Sequence, residues 1–419
     1  MPSNVPWHII HVHTDADPAT IALPTLEPNR MILIFFWKSN RPIGHRIVDP
    51  QDGSPTTSTI LEWARSHSGE YLDTPSGGTD SPAASHRVSV IIPTRDRPAD
   101  LERCLRSFQK QTRPPDEIIV VDNASAGDGV RELVASMPWV KYVREPRPGL
   151  DFARNAGILA AQGDLIAFCD DDVVIHDAWC EQLASAFDAP EIMAVTGLVL
   201  PLELESEAQR LFEFHWGFGR GYHRIDFDTE FFERNRNAGC PAWTVGAGAS
   251  MAFRRTAFAK VGLFDERLDA GAAGCSGDSE IWYRLLAEGW TCRYEPTVVS
   301  FHRHRTDMEA LRRQIRAYMR GHTMALIVQY KRYGHKGNLR RAFLTLPKYY
   351  ASRMKHLAAG KGSPADTLLK DEVMGYLSGF LYFMRHPRTE LAFPPHAADR
   401  STSSGATSGG STSVAENAA

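Results

Sequence analysis

From residue 88 the chain alternates short apolar runs with amphipathic ones, and that alternation limits its fold more than any other feature. "VSVIIPT" (88–94), "EIIVVD" (117–122), "VKYVRE" (140–145) and "DLIAFCDDD" (164–172) have the length and apolar content of strands. Between them, "PADLERCLRSFQKQ" (98–111) sets Leu101, Leu105 and Phe108 on one side of a helix. "DGVRELVASM" (128–137) and "LDFARNAGILAAQG" (150–163) read as two further helices, the second closed by Gly163 as a C-terminal cap. Strands interleaved with helices at this spacing predict an α/β fold, a doubly wound and mainly parallel sheet. In such sheets ligands bind beyond the carboxyl ends of the strands. Thr94, Asp122 and the triplet Asp170, Asp171 and Asp172 fall at those ends, so the polar residues converge on one rim.

"LIAFCDDDVV" (165–174) runs an apolar strand straight into three like charges. Carboxylates a few Å apart repel, and buried charge is costly without a partner. Either water solvates the cluster at a turn, or a cation compensates it. Side chains on an extended segment alternate faces, so Asp170 and Asp172 point one way and Asp171 the other. Two carboxylates facing one spot suit Mg2+ or Mn2+, which keeps several waters and takes substrate phosphates as further ligands.

Other segments set limits rather than a chemistry. Residues 1–68 read as a small α/β unit, with strands "WHIIHVHT" (7–14) and "RMILIFFW" (30–37) and a helix at "TSTILEWARS" (57–66). Residues 69–86, rich in Gly, Ser, Pro and Thr, read as a linker. Residues 87–305 form the main domain, 306–395 a basic helical extension and 396–419 a low-complexity, disordered tail. Over 303–361, fifteen Lys/Arg stand against two acids, Asp307 and Glu309, a net of +13. Basic amphipathic helices suit an anionic membrane surface, which predicts peripheral contact with the inner face of a membrane. A whole-chain charge of -3 carries no nucleic-acid signature. Six cysteines without C-x-x-C spacing read as free thiols, the start lacks a signal-peptide pattern, and no apolar run reaches spanning length; these predict a cytoplasmic protein.

Five segments then follow one another in order: "VSVIIPTRDRPADLERCLRSFQKQ", "EIIVVDNAS", "GLDFARNAGILAAQGDLIAFCDDD", "VGLFDERL" and "GDSEIWYRLL". Over about residues 86–305 this resembles the family-2 glycosyltransferases with the GT-A fold. The resemblance implies an enzyme that moves a sugar, with inversion, from a nucleotide-diphosphate donor to a hydroxyl of a glycan or lipid-linked acceptor. Uridine leads among the bases, with thymidine and guanosine open. Asp170 and Asp172 match the metal motif D-x-D for Mn2+ or Mg2+, Asp171 meets the ribose or donor sugar, and His302 of "VVSFHRHR" completes the metal or diphosphate site. Asp122 accepts from the nucleotide base; its structural alternative is an Asx-turn in "DNAS". Thr94 lies near the nucleoside or simply ends its strand, and Asp96 assists or caps the next helix. Arg154 serves the base or lies on a solvated helix face. Asn155 and Gly157 let the helix approach the sheet.

Asp278 matches the catalytic base, needed because a hydroxyl is a poor nucleophile until a carboxylate takes its proton. Its alternative is an N-cap, and Glu280 is its rival. Where the family commonly has Glu-Asp, this chain has Gly277-Asp278, which puts acceptor recognition in doubt. The small-residue run in "TVGAGASMAFRR" (244–255) either admits a sugar or enters a tightly packed strand. A sugar-1-phosphate nucleotidyltransferase needs a glycine-rich loop after the first strand, and "PTRDRPAD" has no glycine. The remaining alternative is a non-catalytic glycan- or nucleotide-binding scaffold, which the retention of Asp170, Asp172 and Asp278 disfavours.

Overall fold

The computed structural model describes residues 5–15, 30–49, 55–68 and 86–387. Apart from residue 86, the linker expected over 69–86 lies outside these, as does the tail expected over 396–419.

In the N-terminal unit, β1 (His8–His13) runs parallel to β2 (Ile32–Lys38), and β2 antiparallel to β3 (Arg41–Val48). Helix α1 (Thr57–Ser68) covers one face, packing Ile60, Leu61 and Ala64 on Ile32, Ile34 and Phe36. The other face carries Leu33, Phe35 and Trp37, and these enter the core of the main sheet. Trp37 stacks on His176 with ring centroids 5.1 Å apart. "ILIFFW" is apolar at every position because both faces of β2 are buried.

The main sheet begins with the expected alternation: β4 (Val88–Thr94), α2 (Pro98–Phe108), β5 (Glu117–Asn123), α3 (Gly129–Ala135), β6 (Val140–Glu145), α4 (Leu150–Ala160) and β7 (Leu165–Cys169). The four strands are parallel, in the order β7-β4-β5-β6. Alternate residues of β4 feed two cores. Val88, Val90 and Ile92 join Leu101, Leu105 and Phe108 of α2, while Ile91 joins Ala153 and Ile158 of α4. A Cβ at Gly157 would collide with Ile91, so this glycine sets how closely α4 approaches the sheet. Gly163 is not the cap of α4, which ends at Ala160 with Ala161 as C-cap. A Cβ there would lie 2.6 Å from the Arg87 carbonyl and from Ser89 Oγ. The glycine is needed for a close backbone crossing; a cap glycine and a crossing glycine look alike in sequence.

The sheet then grows on its other side. In chain order come β8 (Val173–Ile175), α5 (Trp179–Ser185), β9 (Ile192–Pro201), α6 (Glu207–Trp216), β10 (Ile225–Phe227), α7 (Thr229–Arg236), β11 (Ser250–Arg254), α8 (Arg255–Val261), α9 (Gly277–Ala287) and β12 (Thr291–His302). β11 is antiparallel to both β7 and β9, β12 is parallel to β9, and β8 and β10 pair antiparallel with β12. The result is a mainly parallel α/β sheet, as the resemblance implied.

The C-terminal extension is helical, as expected: α10 (Met308–Tyr333), α11 (Lys336–Arg340), α12 (Leu346–Ala358) and α13 (Leu369–Arg385). Asp307 caps α10 by accepting from the Ala310 N–H, and Gly334 ends it with φ 68°. Several arginines of the basic stretch are engaged internally. Arg316 pairs with Asp371, Arg353 with Asp366 and Glu372, and Arg320 donates to the Ala273 carbonyl. Among the described residues no helix is long and apolar enough to cross a membrane.

Candidate functional site

Strand β7 ends at Cys169 and β8 starts at Val173, so the three aspartates form the turn between them. One ligand atom each from Asp170, Asp172 and His302 lies within 4.8 Å of the other two. β12 pairs antiparallel with β8, setting His302 opposite Val173, and this register brings the imidazole to the carboxylates. His302 Nε2 is 3.3 Å from Asp172 Oδ1. Its Nδ1 faces Nδ1 of His304 at 3.0 Å, and His304 Nε2 is 2.8 Å from Glu213 Oε2 on α6. Burial opposes a proton on His302, but Asp172 and Asp170 outweigh it and raise its pKa, so without a metal Nε2 holds a proton toward Asp172. With a cation in place of that proton, His304 would donate to Glu213 and accept from His302, and the Nε2 lone pair would face the cation. Two carboxylates and an oriented imidazole are a donor set that fits Mn2+ or Mg2+.

Asp171 turns to other partners. Thr94 Oγ1 donates to its Oδ2 at 2.7 Å, and Arg97 Nη1 lies 3.1 Å from Asp171 Oδ1 and 3.1 Å from Asp172 Oδ2. Burial raises the Asp171 pKa to about 6, helped by the Asp172 charge and opposed by Arg97 and Thr94. Burial also pushes Asp172 up, but His302, Arg305 and Arg97 together outweigh it and hold the group well below the usual range. Asp170 is raised by burial and by Asp172. Arg305 reaches to 3.8 Å from Asp172 Oδ2, so the acidic turn has cations on its flank. Arg97 and Arg305 escaped the sequence reading because nothing local ties them to the aspartates.

Asp122 is buried at the end of β5. Its Oδ2 accepts from Tyr142 Oη at 2.7 Å and Arg144 Nη1 at 2.6 Å, while among the described residues Oδ1 receives only the Ser125 N–H, at 3.3 Å. Burial opposes its charge, and the bonds from Ser125, Tyr142 and Arg144 outweigh that and lower its pKa. Asp96, at φ 55°, does not cap α2, whose N-cap is Arg97 without a side-chain bond. Its Oδ1 accepts from the Ala126 N–H at 2.7 Å, tying the loop after β4 to the loop after β5.

Arg154 does not lie on a solvated helix face; it is 3% exposed. Its Nη1 is 2.9 Å from Asp151 Oδ1 and 2.6 Å from Asp269 Oδ2. Asp170 and Asp278 also stabilise its charge, so this guanidinium sits between the metal turn and the candidate base. Asp278 lies in the first turn of α9, which Ser276 caps at φ 80°, so Asp278 is not the N-cap. Its Oδ2 accepts from the Gly248 N–H at 2.9 Å and its Oδ1 from the Ser279 N–H at 2.6 Å. Burial, then Asp269, raise its pKa to about 6 against the pull of Arg154. A Cβ at Gly248 would lie 2.9 Å from Arg154 Nη2 and 3.0 Å from Asp278 Oδ2, so the small-residue run is what lets these two groups close on the loop. Glu280 is buried and held 2.8 Å from Arg284.

Asp151 and Asp269 were not singled out from the sequence. Together with Asp278 they put three carboxylates around the single Arg154 cation, and burial followed by the Asp269 charge keeps Asp151 well above the usual carboxylate range. Gly277 is explained here. A Cβ at that position would run into the Asp151 carboxylate and lie 2.7 Å from Asp269 Oδ2. The space of the missing glutamate is occupied by two acids from elsewhere in the chain.

Parts of the chain are similar to known proteins. Residues 89–262 match the family model described as Glycosyl transferase family 2. The pre-mycofactocin glycosyltransferase of Mycobacterium tuberculosis is 29% identical over 230 residues, 54% of this chain and 44% of that protein. Glycosyltransferase AglE of Haloferax volcanii is 26% identical over 236 residues, 55% of this chain and 71% of that one. The chain thus spans less than half the length of the first of these relatives. Among solved structures, the mannosyltransferase PcManGT from Pyrobaculum calidifontis in complex with GDP-Man and Mn2+ is 19% identical, with a TM-score of 0.45, over 77% of this chain and 93% of that one.

Proposed function

We propose that this chain, whose residues 89–262 belong to glycosyl transferase family 2, is a metal-dependent inverting glycosyltransferase that moves a sugar from a nucleotide-diphosphate donor to an acceptor hydroxyl. The observation that carries the reading is the meeting of Asp170, Asp172 and His302 at the carboxyl edge of the sheet, where a doubly wound fold binds ligands. Mn2+ or Mg2+ held there supplies charge neutralisation on the departing nucleoside diphosphate. Arg97 and Arg305, beside the same aspartates, receive phosphate oxygens. Asp122 uses its less occupied Oδ1 to accept from a base N–H, which favours uridine. Thr94 and Asp171 lie on the nucleoside side of the metal turn, and Arg154 positions the base carboxylate rather than standing in solvent.

Asp278 takes the acceptor proton. A carboxylate raised to about 6 is largely ionised at neutral pH yet basic enough to accept that proton as the hydroxyl attacks. The Gly248 N–H and the first turn of α9 fix its orientation. The acceptor is a glycan or a lipid-linked sugar. One relative, 26% identical over 206 residues, is the glucosyl-dolichyl phosphate glucuronosyltransferase of Haloferax volcanii. Among the described residues all six cysteines are unpaired, which suits the cytoplasm, where we place the chain.

Calorimetric titration of UDP, with and without Mn2+, into wild type and Asp172→Ala tests the reading. The expected result is Mn2+-dependent binding that the variant loses. Binding of GDP or dTDP in place of UDP would move the base assignment. If none of the three binds with metal, a non-catalytic scaffold replaces the enzyme.

A further inference from the structure

Thirteen large apolar side chains are exposed among the described residues, and nine of them fall between residues 343 and 384. On α13, Met374, Leu377, Leu381 and Met384 follow one another at steps of three, four and three residues, which draws one continuous stripe along a helix. The opposite face of α13 is pinned to α10. A Cβ at Gly375 would collide with the Arg316 carbonyl, and one at Gly379 would lie 2.7 Å from the Arg320 carbonyl. The stripe therefore faces outward because the rest of the helix has no freedom to turn. Phe343 stacks on Phe380 with centroids 5.0 Å apart, bringing the turn before α12 beside the stripe. Met354 and Leu357 extend the exposed apolar surface onto α12.

The charges around this surface have one sign. From residue 310 to 387 the only acids are Asp366, Asp371 and Glu372. Each is held by an arginine, from Arg353 or Arg316, at 2.6–2.7 Å. Lys348, Lys355, Lys361 and Lys370 are exposed. The arginines of the extension thus neutralise its acids internally while its lysines face solvent among apolar side chains. Exposed apolar side chains and exposed lysines on the same helices, with every acid between residues 310 and 387 held by an arginine, are the pattern of a helix lying in the headgroup layer of an anionic membrane. A second copy of the chain meets this surface less well, since a two-fold contact would set lysines against lysines. Residues 388–419 carry only Leu391, Phe393 and Val414 as large apolar residues, too few for that segment to cover the surface.

We propose that the outer faces of α12 and α13 dock the protein on an anionic lipid bilayer. The sequence placed this affinity in the whole basic stretch; the structure locates it on two helices. The inference does not depend on the nucleotide reading, although a lipid-linked acceptor would be presented at this surface.

Flotation of the full chain with vesicles tests the proposal. Wild type should rise with phosphatidylglycerol–phosphatidylcholine vesicles, stay down with phosphatidylcholine alone, and lose binding as salt is raised. Leu377→Glu/Leu381→Glu removes the apolar anchor and Lys348→Glu/Lys355→Glu the charge; each should cut binding by about tenfold or more. Circular dichroism and nucleotide titration on the same variants show that the fold is intact. The proposal is overturned if wild type stays down with the anionic vesicles, or if both double variants float as wild type does. It is also overturned if light scattering shows a dimer that Leu377→Glu/Leu381→Glu converts to a monomer, since the stripe would then bury a second copy. Flotation without nucleotide binding would refute the transferase reading and leave this one standing.

Discussion

Asp269→Asn should move the pH dependence of catalysis downward. Asp269 Oδ2 lies 2.6 Å from Arg154 Nη1, and its charge is second only to burial in raising Asp278 from 3.8 to about 6. The substitution removes a repelling carboxylate and frees Arg154 to attract Asp278 more strongly; both changes favour the ionised base. A unit charge at about 4 Å and an effective dielectric of about 20 is worth roughly 4 kcal/mol, which sets an upper bound on the effect of removing the Asp269 charge because the cluster relaxes. Burial is the larger cause and stays, so the Asp278 carboxyl should fall only part of the way, to about 5. A base works when deprotonated, so kcat/KM rises with pH through this group. The acid limb should lie near pH 6 in wild type and about one pH unit lower in the variant. The assay is kcat/KM against pH, with the nucleotide sugar that the binding titrations admit. The midpoint is the readout, because plateau height also reflects any shift of Arg154. An unchanged midpoint, or one displaced upward, refutes the coupling between Asp269 and the base.

Three further outcomes follow from the same geometry. His304→Ala releases His302 from its link to Glu213 and should weaken Mn2+ binding about tenfold, read by electron paramagnetic resonance titration. Arg154→Leu leaves three buried carboxylates without their cation and should cost about 3–5 kcal/mol in denaturant unfolding. Asp151 and Asp278 already sit above their unfolded values, so the folded variant holds extra protons, and its loss should be smallest in acid and grow as pH rises through neutrality. Gly248→Ala presses a methyl group on Arg154 and Asp278 and should cost about 1–3 kcal/mol, with a fall in kcat; wild-type kcat and melting would contradict the role given to the glycine.

The site was legible where neighbouring residues carry it. Reading the segment as extended pairs Asp170 with Asp172; they lie in a turn instead, yet they still meet at one spot with His302 while Asp171 accepts from Thr94. His302 could be placed because strand spacing paired it with His304 at the end of a recognisable segment. The cluster around Arg154 was not legible, since Asp151, Asp269 and Asp278 come from three distant segments and meet only in the folded chain. Asp151 in particular looks like the ordinary acid of a helix's first turn. Strand β3 was missed because "RPIGHRIV" carries a proline and a glycine, which usually interrupt strands; β3 tolerates them as an edge, paired only with β2. The cap assigned to Gly163 and the capping alternatives for Asp96 and Asp278 all fall, because glycine and aspartate serve close crossings, loop ties and caps with the same local signature.

The burial of β2 on both faces bears on how the protein comes apart. His11 meets Phe301 edge-on with centroids 5.4 Å apart, next in sequence to His302. The N-terminal strands are thus the back wall of the strand that carries a candidate metal ligand. Heating should therefore give one calorimetric transition rather than two, with Mn2+ raising its midpoint as a whole. Cutting the chain before β4 would strip cover from Phe301 and His176, exposing an adhesive surface instead of liberating an autonomous catalytic core.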